Sequence, residues 1–346
     1  MSLSRPATFP LLKLPWLCIK CVIQNSDLFN VIFFATISNR ARTIVKNSKY
    51  PLKKITVFPN RYRTIRVGDV LTDRRTWYFI HDNKSRLEQS LVLKRNSEAL
   101  QTDISSNCIT GHYLYSFTVG DELDALKMGI EFMFDVFGCT IEQLYVYNGK
   151  LAELLRLGIS SVEELFLSGS FNITDLKYLL ENIKVTDKYL FYVRIPKNFY
   201  SDPRIFKCRQ LFFGGEHSAD WVTLELLCQF DVPQLFFMHH RFSIKDIVSY
   251  MTYWFKSENR KLEYLFVSFK RPVSQDDFKI DQLNPMPFCE KRRNRCPLVE
   301  GWKNEDMSGG MDILRQDGLL ATLFVKPDSI LFYIWHKRFP IIVQHK

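Results

Sequence analysis

Cys18-x-x-Cys21 is the first place in this sequence where residue type and spacing suggest chemistry. Two thiols three apart have the spacing of a redox pair or of half a zinc site. Four ligands are needed to close a structural zinc site, and no second Cys/His pair lies nearby to supply the rest. The same count fails at Cys289 and Cys296, which flank the basic run KRRNR at 291–295. His239 and His240 follow a strand-like block. Adjacent strand residues point to opposite faces, which is poor geometry for holding one ion. Gly214–Gly215 and Gly309–Gly310 read as turns at strand ends. There is no GxGxxG, no Walker loop, no HExxH and no GxSxG elbow. The expectation is a binding protein, not an enzyme, with no cofactor and no metal. Cys18 and Cys21 then read as small apolar residues on a helix.

The elements that would position a binding surface follow from composition. With 346 residues, 46% hydrophobic and 14% aromatic, the chain can bury a sizeable core, in two domains or one elongated one. Its cysteines (Cys18, Cys21, Cys108, Cys139, Cys208, Cys228, Cys289, Cys296) are scattered through apolar surroundings and do not form a disulfide framework. Reduced thiols suit the cytosol or nucleus, so the expected location is cytoplasmic and/or nuclear. No apolar run approaches the ~20 residues that span a bilayer; the longest is VIFFATI at 31–37. LLKLPWLCIKCVI at 11–23 looks like a secretory leader, but Lys13, Pro15 and Lys20 interrupt it and no small-residue cleavage site follows. No membrane partner is expected. The net charge of +10 permits nucleic acid or an acidic partner. Only 291–295 is a dense basic run, readable as a solvated loop, a nuclear-localisation signal or a phosphate-binding patch.

Residues 9–50 read as three short helices. Pro15 sits where a first helical turn tolerates it. Ser26 or Asp27 can cap LFNVIFFATI at 28–37, and Ser38 can cap NRARTIVKN at 39–47. So small a unit cannot bury this much apolar surface alone, so the rest of the chain or a partner must cover it. Next come the strand-like blocks KKITVFP (53–59), RTIRVGDV (63–70), RTWYFIHD (75–82) and HYLYSFTVG (112–120). LEQSLVLKRNSEALQ (87–101) is ambiguous, and 121–137 has helical spacing. From 141 onward short blocks recur, anchored on Leu144, Leu165, Leu190, Leu211, Leu235 and Leu265, with helical segments at 151–158, 173–183, 221–230 and 243–255. A strand plus a helix every ~20–29 residues is leucine-rich-repeat-like; an ordinary α/β sheet is the alternative. Residues 309–336 read as two strands with turns at Gln316-Asp317-Gly318 and Pro327-Asp328-Ser329, a hairpin able to cap the array.

The stretch at 9–48 resembles the F-box. Leu14–Pro15 matches its opening, Leu17, Val22 and Ile23 its first helix, Asp27–Ile32 the next, and Ser38–Arg42 its small-polar and basic close. The version resembles that of nematode F-box proteins, and the remainder resembles the F-box-associated domain, type 2. Gly310-Met311-Asp312-Ile313, Asp317–Gly318, Ala321–Thr322 and LEYLFVSF (262–269) carry this second likeness. Leu28 stands where many relatives have Pro, Phe33 and Phe34 are bulkier than usual, and Ile37 replaces a smaller residue; none adds a charge.

The residue patterns and the resemblance together lead to the expectation of an α+β or α/β chain. An F-box at 8–50 precedes a mixed part at 51–140 and an irregular leucine-rich-repeat-like array at 141–270. A basic loop at 271–308 and a closing hairpin at 309–346 complete it. The resemblance implies a substrate-recognition adaptor of a Skp–cullin–F-box ubiquitin ligase. A Skp adaptor, and through it a cullin, would dock on Leu14, Pro15, Leu17, Val22, Ile23, Leu28, Val31 and Ile32, with an unidentified protein substrate held elsewhere. The other readings are a repeat-type interaction module without ligase coupling and a basic nucleic-acid-binding protein. Loops at 196–207 and 271–308 are where recognition usually resides.

Overall fold

A computed structural model describes residues 11–60, 63–68, 75–81, 91–95, 98–107, 111–118, 120–148, 151–238, 240–289, 295–296 and 305–336. The chain divides into two compact units, 1–145 with 152–159, and 146–151 with 160–346.

Three helices lead the first unit: α1 (Trp16–Asn25), α2 (Leu28–Ile37) and α3 (Asn39–Ser48). Asp27 caps α2, accepting from the Phe29 amide at 2.8 Å, and Ser38 caps α3, accepting from the Ala41 amide at 3.1 Å. Strands β1 (Lys54–Phe58), β2 (Thr64–Val67), β3 (Arg75–His81), β4 (Leu91–Arg95), β5 (Glu98–Asn107) and β6 (Gly111–Thr118) follow. The ambiguous stretch at 87–101 thus supplies β4 and the start of β5. After them come α4 (Glu122–Phe137), β7 (Thr140–Tyr147) and α5 (Leu151–Leu157). The strand order is β7-β1-β2-β3-β6-β5-β4, with β1/β7 and β3/β6 parallel and the other neighbours antiparallel.

Helix α4 lies on one face of this sheet. Its apolar residues Leu123, Leu126, Ile130, Met133 and Val136 recur every three to four positions and are buried. Trp77 and Phe79 of β3 meet it, Trp77 lying edge-to-face with Phe132 at 6.0 Å. Gly129 leaves room for the Phe79 ring, because a Cβ there would sit 2.2 Å from Phe79 Cζ. The N-terminal helices are tied into the same unit. Asp135 on α4 receives Lys46 at 2.7 Å and Arg42 at 3.0 Å, and Arg75 reaches Asp27 at 3.0 Å. The Lys46 ammonium, aided by Arg42, holds the Asp135 carboxyl below its usual range. Pairs this exposed contribute about 0–1 kcal/mol each, so they set orientation more than stability.

The second unit holds β8 (Ser161–Gly169), α6 (Ile173–Asn182), β9 (Lys184–Val193), β10 (Gln210–Phe213), α7 (Leu224–Gln229), β11 (Gln234–Phe237), α8 (Ile244–Lys256) and β12 (Tyr264–Ser268). β8 to β12 pair in sequence order, all parallel. Leu211, Leu235 and Leu265 sit in register and are fully buried. The anchor expected at Leu190 is displaced: Tyr189 pairs with Leu165 and Leu211 and is buried, and Leu190 lies on the other face. A one-residue slip swaps faces, and the apolar block KYLFYV offered both registers. Helix α7 is shorter than the expected 221–230. Val222 closes a turn onto Ala219, and Thr223 caps the helix from outside.

The remaining strands are β13 (Met286–Pro287), β14 (Arg295–Cys296), β15 (Glu305–Asp306), β16 (Met311–Leu314), β17 (Leu320–Lys326) and β18 (Ser329–Trp335). The expected two-stranded hairpin at 309–336 is a three-stranded antiparallel meander, β16-β17-β18. Two turn signals necessarily join three strands. β18 pairs antiparallel with β12 and so ends the parallel run. Helices and mixed strands make the chain α+β.

Candidate functional site

Helix α1 has a narrow inner stripe. Ile19 and Ile23, one turn apart, are the only members buried, at 6% and 3% exposure. Gln24 flanks that stripe and donates to the Ser48 carbonyl at 2.8 Å, tying α1 to the end of α3. The opposite arc holds Leu17, Cys18, Cys21, Val22 and Asn25, all exposed, with no charge among them. Leu17 is 72% exposed, and Trp16 and Leu12 extend the apolar surface at its start. Scattered exposed apolar residues are ordinary; this face is distinguished by lying opposite the core without a charge. Lys20 lies at the border, half-buried.

The eight residues expected to dock a partner separate cleanly. Leu17, Val22 and Pro15 are exposed and Leu14 is half-buried. Ile23, Leu28, Val31 and Ile32 are interior, at 3% exposure or less. The latter four belong to the packing of the helices and present no surface. Leu28, Val31 and Ile32 lie with Phe29 and Ala35 on the buried side of α2, whose start Asp27 caps. Trp16, Cys18 and Cys21 join the exposed face and were not among the eight. Placing residues 16–25 at 100° intervals finds Cys18 and Cys21, since the Ile19/Ile23 pair defines the inner line; Trp16 falls beside that line and is exposed at the first position of the helix.

Elsewhere the chemistry is sparse. Among the described residues no cluster of three or more His, Cys, Asp or Glu can hold a metal. Burial pushes the thiols of Cys139 and Cys228 up to about 11 and that of Cys208 up to about 12, so they stay protonated at neutral pH. His240 is committed, with Nε2 at 2.6 Å from the Ser268 carbonyl and Nδ1 accepting from the Phe242 amide. His239 and residues 291–294 of the basic run lie outside the described residues. The loops at the carboxyl ends of β9 to β12 carry a denser group. His217 sits in the left-handed region (φ 63°), with Nδ1 2.9 Å from Asp220, which also receives Arg241 at 3.0 Å. Among the described residues no helix is long and apolar enough to cross a membrane.

Part of the second unit is similar to known proteins. Residues 203–267, from the loop before β10 through β12, match the F-box associated family FBA_2. Two Caenorhabditis elegans proteins are similar, the uncharacterized proteins F59B2.8 (28% identical over 130 residues) and F59B2.9 (28% over 132 residues). Each alignment covers 36% of this chain and 30% of the relative, so the chain spans less than a third of the length of either. No solved structure matches. The likeness to the F-box associated family FBA_2 thus lies within the second unit of the chain.

Proposed function

We propose that this protein is a non-enzymatic substrate-recognition adaptor of a Skp–cullin–F-box ubiquitin ligase. Helix α1 docks on a Skp adaptor, and the second unit binds a protein target. The observation that carries the reading is the charge-free outer face of α1 (Leu17, Cys18, Cys21, Val22), in a chain whose second unit matches an F-box associated family. A solvated helix normally puts charge on that side. Docking then rests on Leu14, Pro15, Leu17 and Val22, with Ile23, Leu28, Val31 and Ile32 holding those residues in place. We read the parallel run β8 to β12 as an irregular leucine-rich-repeat-like array, supported by its sequential order and the stacked Leu211, Leu235 and Leu265. A cytoplasmic and/or nuclear location goes with this role. The test is co-purification of a nematode Skp adaptor with the full chain and with a Leu14→Ala, Pro15→Ala double variant. The variant should retain little adaptor while its circular dichroism is unchanged. Equal recovery with both would remove the F-box reading.

A further inference from the structure

On one face of the second unit's parallel strands Phe206 and Trp221 pack against Phe191 and Phe213; the other face carries a row of rings. Phe166, Tyr192, Phe212, Phe236 and Phe266 follow one another across β8 to β12, with centroids 4.8, 5.6, 5.6 and 5.8 Å apart. Among the described residues the row is covered at one end. Phe236 and Phe266 are 1% and 9% exposed, packed with Phe288 and Met307 from the segments beside β13 and β15. At the other end Tyr192 is 40% exposed, and Phe166, Leu190 and Phe212 are half-buried. The described residues therefore cover half of this row with large apolar side chains from beside short strands and leave the adjoining half partly exposed.

Tyr192 is held for display. Its ring lies over Gly214, where a Cβ would come within 2.7 Å of Tyr192 Cε1, and its backbone abuts Gly215, where a Cβ would come within 2.8 Å. Beyond Tyr192, at the carboxyl ends of the strands, cations predominate. Arg194 lies two residues on, at the next position on the same side. Arg194 and Arg271 are exposed and have no ion-pair partner among the described residues. Lys270 and Arg241 meet Glu216 at 3.7 Å and Asp220 at 3.0 Å. In open sheets with parallel strands, ligands commonly bind outside the carboxyl ends.

Resting on the adaptor reading above, we infer that the open half of this ring row and its cationic rim form the target subsite. Its occupant is a protein segment that presents large apolar side chains flanked by acidic residues. The apolar residues extend the stack that Phe288 and Met307 begin. The acidic ones meet Arg194 and Arg271, which suits a chain of net charge +10.

The experiment is fluorescence anisotropy with the full chain and a fluorescein-labelled peptide in which Phe and Leu alternate with Glu. The peptide should bind, and more weakly as salt rises. Replacing its Phe and Leu by Ser, or its Glu by Lys, should each weaken binding about tenfold or more. Tyr192→Ser and the double variant Arg194→Glu, Arg271→Glu should each do the same to the original peptide, with circular dichroism unchanged. Failure of the original peptide to bind overturns the inference. So does equal binding of the Ser or Lys peptide, or tighter binding of labelled oligouridylate than of any peptide. Adaptor co-purification is read in a separate assay on α1, so either assignment can fail while the other stands.

Discussion

Replacing Arg315 with Met should remove about 3 kcal/mol of stability from the second unit. Arg315 follows β16, and its side chain is 3% exposed. Its guanidinium donates to Asp317 through Nε (2.9 Å) and Nη2 (2.8 Å), and through Nη1 to the carbonyls of Trp254 (3.2 Å) and Asn259 (2.8 Å). It also lies 4.8 Å over the Trp254 ring. The turn between β16 and β17 is thereby fastened to the end of α8. Hydrogen bonds to a charged group are worth about 1.5–3 kcal/mol each, and a desolvated cation–π contact about 0.5–2. These do not add, and breaking a buried pair costs about 3–5 kcal/mol in total. Asp317 is 28% exposed and keeps Arg260 at 3.2 Å, which favours the low end, about 3 kcal/mol. Thermal unfolding should fall by about 6–12 °C. Urea unfolding followed by far-ultraviolet circular dichroism measures the loss, and a change below about 1 kcal/mol would refute the reasoning. A second signature lies in acid. Arg315 holds the Asp317 carboxyl far below its usual range. A depressed folded-state value gives stability that is present above the unfolded-state value, about 3.9, and is lost as pH falls through the folded-state value. The wild type should therefore lose this contribution below about pH 4, and the Met variant, lacking it throughout, should show a flatter acid slope.

Other outcomes follow from burial. Ile23→Ala should cost about 2–5 kcal/mol in urea unfolding, and Leu17→Ala on the same helix less than about 0.5, because only Ile23 is interior. In native protein, maleimide should modify exposed Cys18 and Cys21 rapidly, and Cys139 and Cys208 only as the protein opens; mass mapping of the labelled thiols reads the order. Gly215→Ala should destabilise by about 1–3 kcal/mol, since its Cβ meets the backbone of Tyr192, which cannot rotate aside; urea unfolding decides.

Much of the fold was legible in the sequence because its signals are local. The caps Asp27 and Ser38 set the helix starts, and the aliphatic spacing at 121–137 defined α4. Non-local choices were not legible. KYLFYV is apolar on both sides, so only pairing with Leu165 and Leu211 selects Tyr189 over Leu190. The stretch at 87–101 carries both helical and alternating patterns, and its strand pairing resolves it. At the candidate site, composition showed that residues 11–37 have surplus apolar surface but not which residues keep it. That depends on Ile19 and Ile23 turning inward, and on Leu28, Val31 and Ile32 being used in packing. The ring row across β8 to β12 assembles from residues far apart in sequence, and no short motif announces it.

The most direct measurement for the adaptor reading is isothermal titration calorimetry of a nematode Skp adaptor into the wild-type chain and into a Leu17→Glu, Val22→Lys variant. Both positions are exposed, and each new charge suits its end of α1, so the helix itself is preserved. The account predicts binding to the wild type with a negative heat-capacity change from apolar burial, and affinity at least about a hundredfold weaker, or undetectable, in the variant. Equal affinity for both proteins, or no binding to a folded wild type, would contradict it.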